Sequence, residues 1–149
     1  MTSPTDLRIV RLSEETAALL DHVAPEVFDA AIDPGLLRDY LVAPGHVMLL
    51  AVLGGQVVGH VSAVIHHRPE KPRAMYVDEI GVTPAHQRKG IATALMAEVL
   101  GLAGSEGCAE CWLGTDTANR PARALYSKLA TDSETAVIYW FDTARDQIR

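Results

Sequence analysis

The spacing of apolar and polar positions changes along the chain, and each change marks an element. Leu7 to Leu12 alternates with period two, the pattern of a half-buried strand. From Ser13 an acidic turn suits a helix N-terminus, and Leu19, Leu20, Val23 and Val27 predict a helix broken or kinked at Pro25. Pro34 opens a second short helix carrying Leu37 and Leu41, which Pro44 and Gly45 close. Val47 to Leu53 is a buried strand, and Gly54-Gly55 turns it into a hairpin with Gln56 to Ile65. After a loop from His66 to Arg73, a strand begins near Met75. Apolar residues then recur at Ile91, Leu95, Val99 and Leu102, close to the helical repeat, until Gly104 and Gly107 end the helix.

Glu110 to Thr115 reads as another strand, so a β-α-β unit with two parallel strands follows the antiparallel pair. Asn119, Arg120 and Pro121 start a further helix that runs to about Ala130. Thr135 to Phe141, rich in β-branched and aromatic residues, predicts a last strand that belongs to the core and offers an edge to a homodimer. With no repeat or linker, one domain over residues 1–149 is the expectation.

The stretch Met75 to Leu102 carries the chemistry. It places the N-terminus of a helix at the end of a strand, where unpaired N–H groups and the helix dipole attract anions, phosphates above all. Gly90 lets a ligand approach the backbone, and Ala92 is nearly as permissive. Neither the P-loop pattern nor the dinucleotide glycine pattern is present; what stands here is Gln87-x-x-Gly90-x-Ala92. Arg88 and Lys89 add positive charge for further phosphates, or make a solvated surface.

On the later helix, Asn119, Ala122 and Tyr126 share a face, with Leu125 and Leu129 on the adjoining stripe. A phenol there could reach a reacting group, or pack at the edge of the core. In the strand before the phosphate loop stand Asp78 and Glu79. Alternation predicts that only one of them faces a reaction centre.

Composition narrows the function classes. The net charge of −6, from 19 acidic and 13 basic residues, argues against nucleic-acid binding. It suits a cationic substrate and serves solubility equally well. No apolar run is long enough for a membrane helix, and Met1 to Asp6 lacks a signal-peptide pattern, so a cytoplasmic protein is the expectation. Cys108 and Cys111 lack the second ligand pair of a zinc site and read as free thiols, and the histidines show no metal-ligand spacing, so no metal is expected.

The segment Gln87 to Ala92 after a strand resembles the acyl-CoA pyrophosphate loop of the GNAT superfamily of N-acetyltransferases, and Asn119-x-x-Ala122-x-x-Leu125-Tyr126 is similar to its later cofactor segment. The resemblance implies an α/β fold with a mixed, twisted central sheet of about six strands and helices on both faces. It also implies acetyl-CoA as cofactor, with coenzyme A as product. Ile80, Gly81 and Val82 would then offer backbone to the pantetheine arm, with Val82 N–H an oxyanion donor. Gln87, Arg88, Lys89, Gly90, Ile91, Ala92 and Thr93 would hold the pyrophosphate. Asn119 and Ala122 would contact the cofactor, Tyr126 would contact it and act as general acid, and Glu79 would act as base, with Asp78 the alternative.

Within the superfamily, Arg68 to Arg73, His86 to Leu95 and Ala124 to Leu129 resemble aminoglycoside 3-N-acetyltransferases of the first type. That implies a small cationic aminosugar as acceptor and antibiotic resistance as the outcome. Glu26, Asp29, Asp33, Asp116 and Glu134 are available to pair with its ammonium groups. The Gly-Phe that often follows the last helix in the superfamily is replaced by Ala130-Thr131. A final strand is expected to be missing or supplied by a partner. Two other readings remain: a GNAT enzyme for another small amine or a protein amine, and a non-catalytic acyl-CoA-binding module.

Overall fold

The computed structural model describes residues 6–144. Five strands make one sheet in chain order: β1 (Arg8–Arg11), β2 (His46–Leu53), β3 (Gln56–His66), β4 (Arg73–Val82) and β5 (Cys108–Trp112). The first four pair antiparallel and β5 joins β4 in parallel, so the sheet is mixed as expected. Gly54 at φ 59° and Gly55 at φ 76° form the β2–β3 hairpin; two successive left-handed residues match the twist of the strands they join.

Helix α1 (Pro34–Val42) starts at Asp33, whose carboxylate accepts the Leu36 N–H at 2.9 Å. Helix α2 (Ile91–Ser105) packs its Ile91, Leu95 and Val99 stripe on one face of the sheet. Gly59 makes that approach close, since a Cβ there would lie 3.3 Å from Ile91 and 3.4 Å from Leu95. The core is Leu50, Val61, Met75, Leu95, Val99 and their neighbours, each buried aliphatic side chain stabilising by about 1.5–3 kcal/mol. Residues 1–114 and 115–149 form two compact units, and helix α3 (Arg120–Leu129) belongs to the second.

Three expectations fail. The helix expected from Ser13 to beyond Val23 is a single 3₁₀ turn, Ala17–Asp21. The Val57 N–H donates to His22 and the Ala24 N–H donates to Val57, so the backbone leaves the helical path to bond the start of β3 before Pro25. Thr135 to Phe141 forms no strand, and Val137 to Phe141 are exposed rather than core, Trp140 by 91%. Propensity without a paired neighbour does not make a strand. Finally, β5 starts two positions before the expected Glu110 and stops at Trp112, because its register begins at Arg73–Cys108.

Candidate active site

Two features of β4 prepare a site. The first is its edge. Pairing with β5 runs only from Arg73–Cys108 to Tyr76–Trp112, so from Val77 to Val82 the strand bonds β3 alone. Ile80, Gly81 and Val82 therefore turn a strand edge toward whatever lies beyond β5, and such an edge is a ready template for an amide-bearing ligand.

The second is a β-bulge. Ser62 pairs with Glu79 and Ala63 pairs with Val77, leaving Asp78 as an extra residue. A bulge re-aims side chains and breaks alternation. Glu79 lines the cleft beside this bulge, and the charge of Asp78 acts on Glu79, Tyr40 and His60.

Opposite α2, the sheet meets residues 12–40 across an open cleft of about 310 Å³, lined by Phe28, Asp29, Asp33, Tyr40, Met48 and Glu79 among others. Burial, the charges of Asp29 and Asp78, and a hydrogen bond with Asp29 all push the Glu79 carboxyl above its ordinary range. The Tyr40 hydroxyl is buried without a partner, and burial and Asp78 raise it to about 12 against the opposing pull of Arg11.

His60 lies behind Glu79 on β3, 2% exposed and stacked on Phe28 with ring centroids 4.2 Å apart. Its Nε2 is 3.5 Å from Glu79 Oε2. Burial nevertheless holds the imidazole down to about 4, against the Val27 carbonyl, Asp29 and Asp78, so near neutral pH a neutral ring faces the carboxylate. Cysteine and histidine spacing gave no hint of His60, Tyr40 or Phe28; their approach depends on the non-helical path of residues 22–33. Among the described residues no cluster is arranged to hold a metal, and no helix is long and apolar enough to cross a membrane.

A short loop joins β4 to α2. Thr83 N–H bonds the Val58 carbonyl at 2.9 Å, a 3₁₀ turn covers Pro84–His86, and the Gln87 side chain donates to the Val82 carbonyl at 3.1 Å. Gln87 thus ties the loop to the end of β4. Arg88 at φ 62° and Gly90 at φ 83° are both left-handed, curling the backbone ahead of α2 as in an anion-binding nest. Gly90 caps a helix of 15 residues, and its surroundings are open, with no atom within 4 Å of a Cβ position. The first helical bond runs from Ala94 N–H to the Gly90 carbonyl, which leaves the N–H groups of Ile91, Ala92 and Thr93 for a ligand. Arg88 and Lys89 are exposed.

The loop from His66 to Arg73 is held structurally. Arg68 donates to the Pro72 carbonyl and pairs with Glu110 at 3.4 Å, and Arg73 reaches the Glu106 carbonyl at 3.1 Å. In the second unit, the Asn119 side chain accepts the Ala122 N–H at 3.2 Å and caps α3. Ala122, Leu125 and Tyr126 are its partly covered residues, and burial raises the Tyr126 phenol, keeping it protonated.

Residues 13–130 match the acetyltransferase (GNAT) family, and the chain belongs to it. Over 132 residues it is 28% identical to an uncharacterised N-acetyltransferase of Mycobacterium tuberculosis strain H37Rv, covering 86% of this chain and 82% of that one. An aminoglycoside acetyltransferase from an uncultured soil metagenomic sample has a similar structure, with TM-score 0.76 and 27% identity over 90% of this chain and 97% of the other. So does a ribosomal-protein-alanine N-acetyltransferase of Brucella melitensis, with TM-score 0.68 and 26% identity over 90% and 99% of the two chains. The five-stranded mixed sheet with its helices is the fold of this family.

Proposed function

We propose that the chain is an acetyl-CoA-dependent N-acetyltransferase acting on a primary amine of an aminoglycoside, with the 3-amine of the central ring as target and antibiotic resistance as the consequence. The observation that carries this reading is the placing of Asp29 and Glu79 in one cleft beside the unpaired edge of β4, with the charge of Asp78 acting on Glu79. Such a cleft attracts a polycation and supplies a base for its ammonium group. The 27% identical aminoglycoside acetyltransferase supports the same acceptor class.

The residues fit the cofactor. The N–H groups of Ile91, Ala92 and Thr93, with the curl from Gln87 to Gly90, would hold the pyrophosphate, and Arg88 and Lys89 would meet other phosphates. Ile80, Gly81 and Val82 offer backbone to the pantetheine arm, with Val82 N–H the oxyanion donor. Acetyl-CoA, when bound, supplies the acetyl group as a thioester and leaves as coenzyme A. Glu79 removes the ammonium proton; its raised pKa makes it a stronger base than an ordinary carboxylate. Asp78 is the alternative base. Asn119 and Ala122 would contact the cofactor from α3, and Tyr126, kept protonated by burial, would supply a proton to the departing thiolate. Replacing Tyr126 by Phe is expected to lower turnover about 10- to 100-fold with cofactor affinity unchanged. An unaltered rate removes Tyr126 from the mechanism.

The reading is tested by thiol release from acetyl-CoA with gentamicin, sisomicin, spermidine and an alanine-initiated peptide, with the acetylated position located by NMR. Turnover of the aminosugars with acetyl on the 3-amine is the expected result. Acetylation of the peptide alone would move the chain to the protein-amine reading that the Brucella likeness favours. Tight acetyl-CoA binding with no turnover of any amine would leave a binding module.

A further inference from the structure

His60 is the least expected polar residue of the core. Its ring is 2% exposed and neither nitrogen has a well-aligned hydrogen-bond partner. Buried polar groups are normally paired, and an apolar residue would fill this space without leaving lone pairs unmet. The ring is held in one orientation by Phe28, stacked at an interplanar angle of 30°. Gly81, opposite His60 in the β3–β4 register, leaves room for it: a Cβ there would lie 3.3 Å from Cε1 and 3.4 Å from Nδ1. The Val27 carbonyl oxygen packs against the same point of Gly81 as the Cε1–Nδ1 edge of the ring. The Nε2 side is turned to Glu79 Oε2, 3.5 Å away.

We propose that His60 is a positioning residue for removal of the acceptor proton, its bare Nε2 receiving a hydrogen bond from Glu79 once the Glu79 carboxylate has taken that proton. The proposal rests on the amine-acetyltransferase reading and extends it to a residue outside the cleft lining. Val27 is the backbone partner that acts on the ring, and an Nδ1–H turned toward its carbonyl would select the tautomer with a free Nε2 lone pair. In the step, an N–H bond of the substrate ammonium breaks, its electron pair stays on nitrogen, and the proton goes to a Glu79 oxygen. The carboxylate becomes a neutral acid whose O–H points to Nε2. Catalytic hydrogen bonds are commonly long in free enzymes and tighten with substrate, as 3.5 Å here allows.

The charged groups around the ring come from two sides. Asp29 follows Phe28, and Asp78 and Glu79 stand on β4. From β2, the residue opposite His60 is Leu50, which carries no charge. Burial keeps the imidazole neutral, so the proton stays on Glu79, whose side chain is 49% exposed and returns it to water after turnover. The Asp29 carboxylate is the competing acceptor for the same proton.

The test is the pH profile of kcat/KM for an accepted amine in His60→Gln, where an amide donor can face Glu79 in place of the lone pair. With the variant folded by circular dichroism, the acidic limb is expected to move down by about one pH unit. The plateau should fall about 3- to 10-fold, with KM for acetyl-CoA unchanged. A folded variant with the wild-type limb overturns the proposal. Nitrogen-15 NMR of the wild-type imidazole decides the matter independently of activity. A protonated Nδ1 with a bare Nε2 supports it, and a protonated Nε2 overturns it, whether or not His60→Gln folds. Failure of the wild type to acetylate any amine would instead remove the functional reading, a result distinct from either tautomer.

Discussion

Replacing Glu79 by Gln is expected to lower kcat/KM for the amine about 10²- to 10³-fold while acetyl-CoA binds as before. General-base catalysis is worth about 10²–10⁴ in rate, and Gln keeps the size of the side chain while removing its basicity. The wild-type profile carries the sign of the effect. Burial, Asp29 and Asp78 raise the Glu79 carboxyl, and the active form is ionised, so the rate falls as pH drops through a value above the ordinary carboxylate range. The variant should lose that limb along with the rate. If Glu79→Gln keeps the wild-type rate and Asp78→Asn loses it, the base is Asp78. If both keep it, no carboxylate of β4 takes the proton.

Gly81→Ala is the second large effect, and it acts on the fold before the chemistry. A Cβ at Gly81 would run into the Val27 carbonyl oxygen and press on the His60 ring. Backbone cannot swing aside as a flexible side chain can, and overpacking of this kind costs about 1–3 kcal/mol. In a chain of this size that corresponds to a fall in Tm of roughly 3–10 °C. Because the displaced segment carries Phe28 and Asp29 into the cleft, KM for the amine should rise more than KM for acetyl-CoA. A thermal melt within about 1 °C of wild type would show that Val27 does not pack against β4 as described.

The parts of the site governed by local chain chemistry were legible in the sequence. Gly90, read as a point where a ligand can approach the backbone, has open surroundings and φ 83°. Asn119 before Arg120 and Pro121 is a helix cap, and its side chain bonds the Ala122 N–H. Helix α2 showed itself by the spacing of Ile91, Leu95 and Val99.

Features set by register between strands were not legible. The bulge at Asp78 exists only because Ser62 and Ala63 of β3 pair with Glu79 and Val77, a relation that alternation within β4 does not encode. His60 passed as one of several scattered histidines, since its environment comes from Phe28 and Glu79, far away in the chain. The misread helix before Pro25 has the same origin: the two bonds with Val57 outweigh a helical pattern of leucines and valines. Thr135 to Phe141 erred in the other direction, because β propensity says nothing about whether a neighbouring strand is there to pair with it.

The central claim is that a cationic amine enters the Glu79 cleft beside a cofactor held at the N-terminus of α2. A crystal structure of the protein with coenzyme A and sisomicin tests it most directly. The account predicts pyrophosphate oxygens on the N–H groups of Ile91 to Thr93 and one sisomicin nitrogen within hydrogen-bonding distance of the Glu79 carboxylate, directly or through one water. Coenzyme A bound as described with sisomicin seated away from Asp29, Asp78 and Glu79 would contradict it.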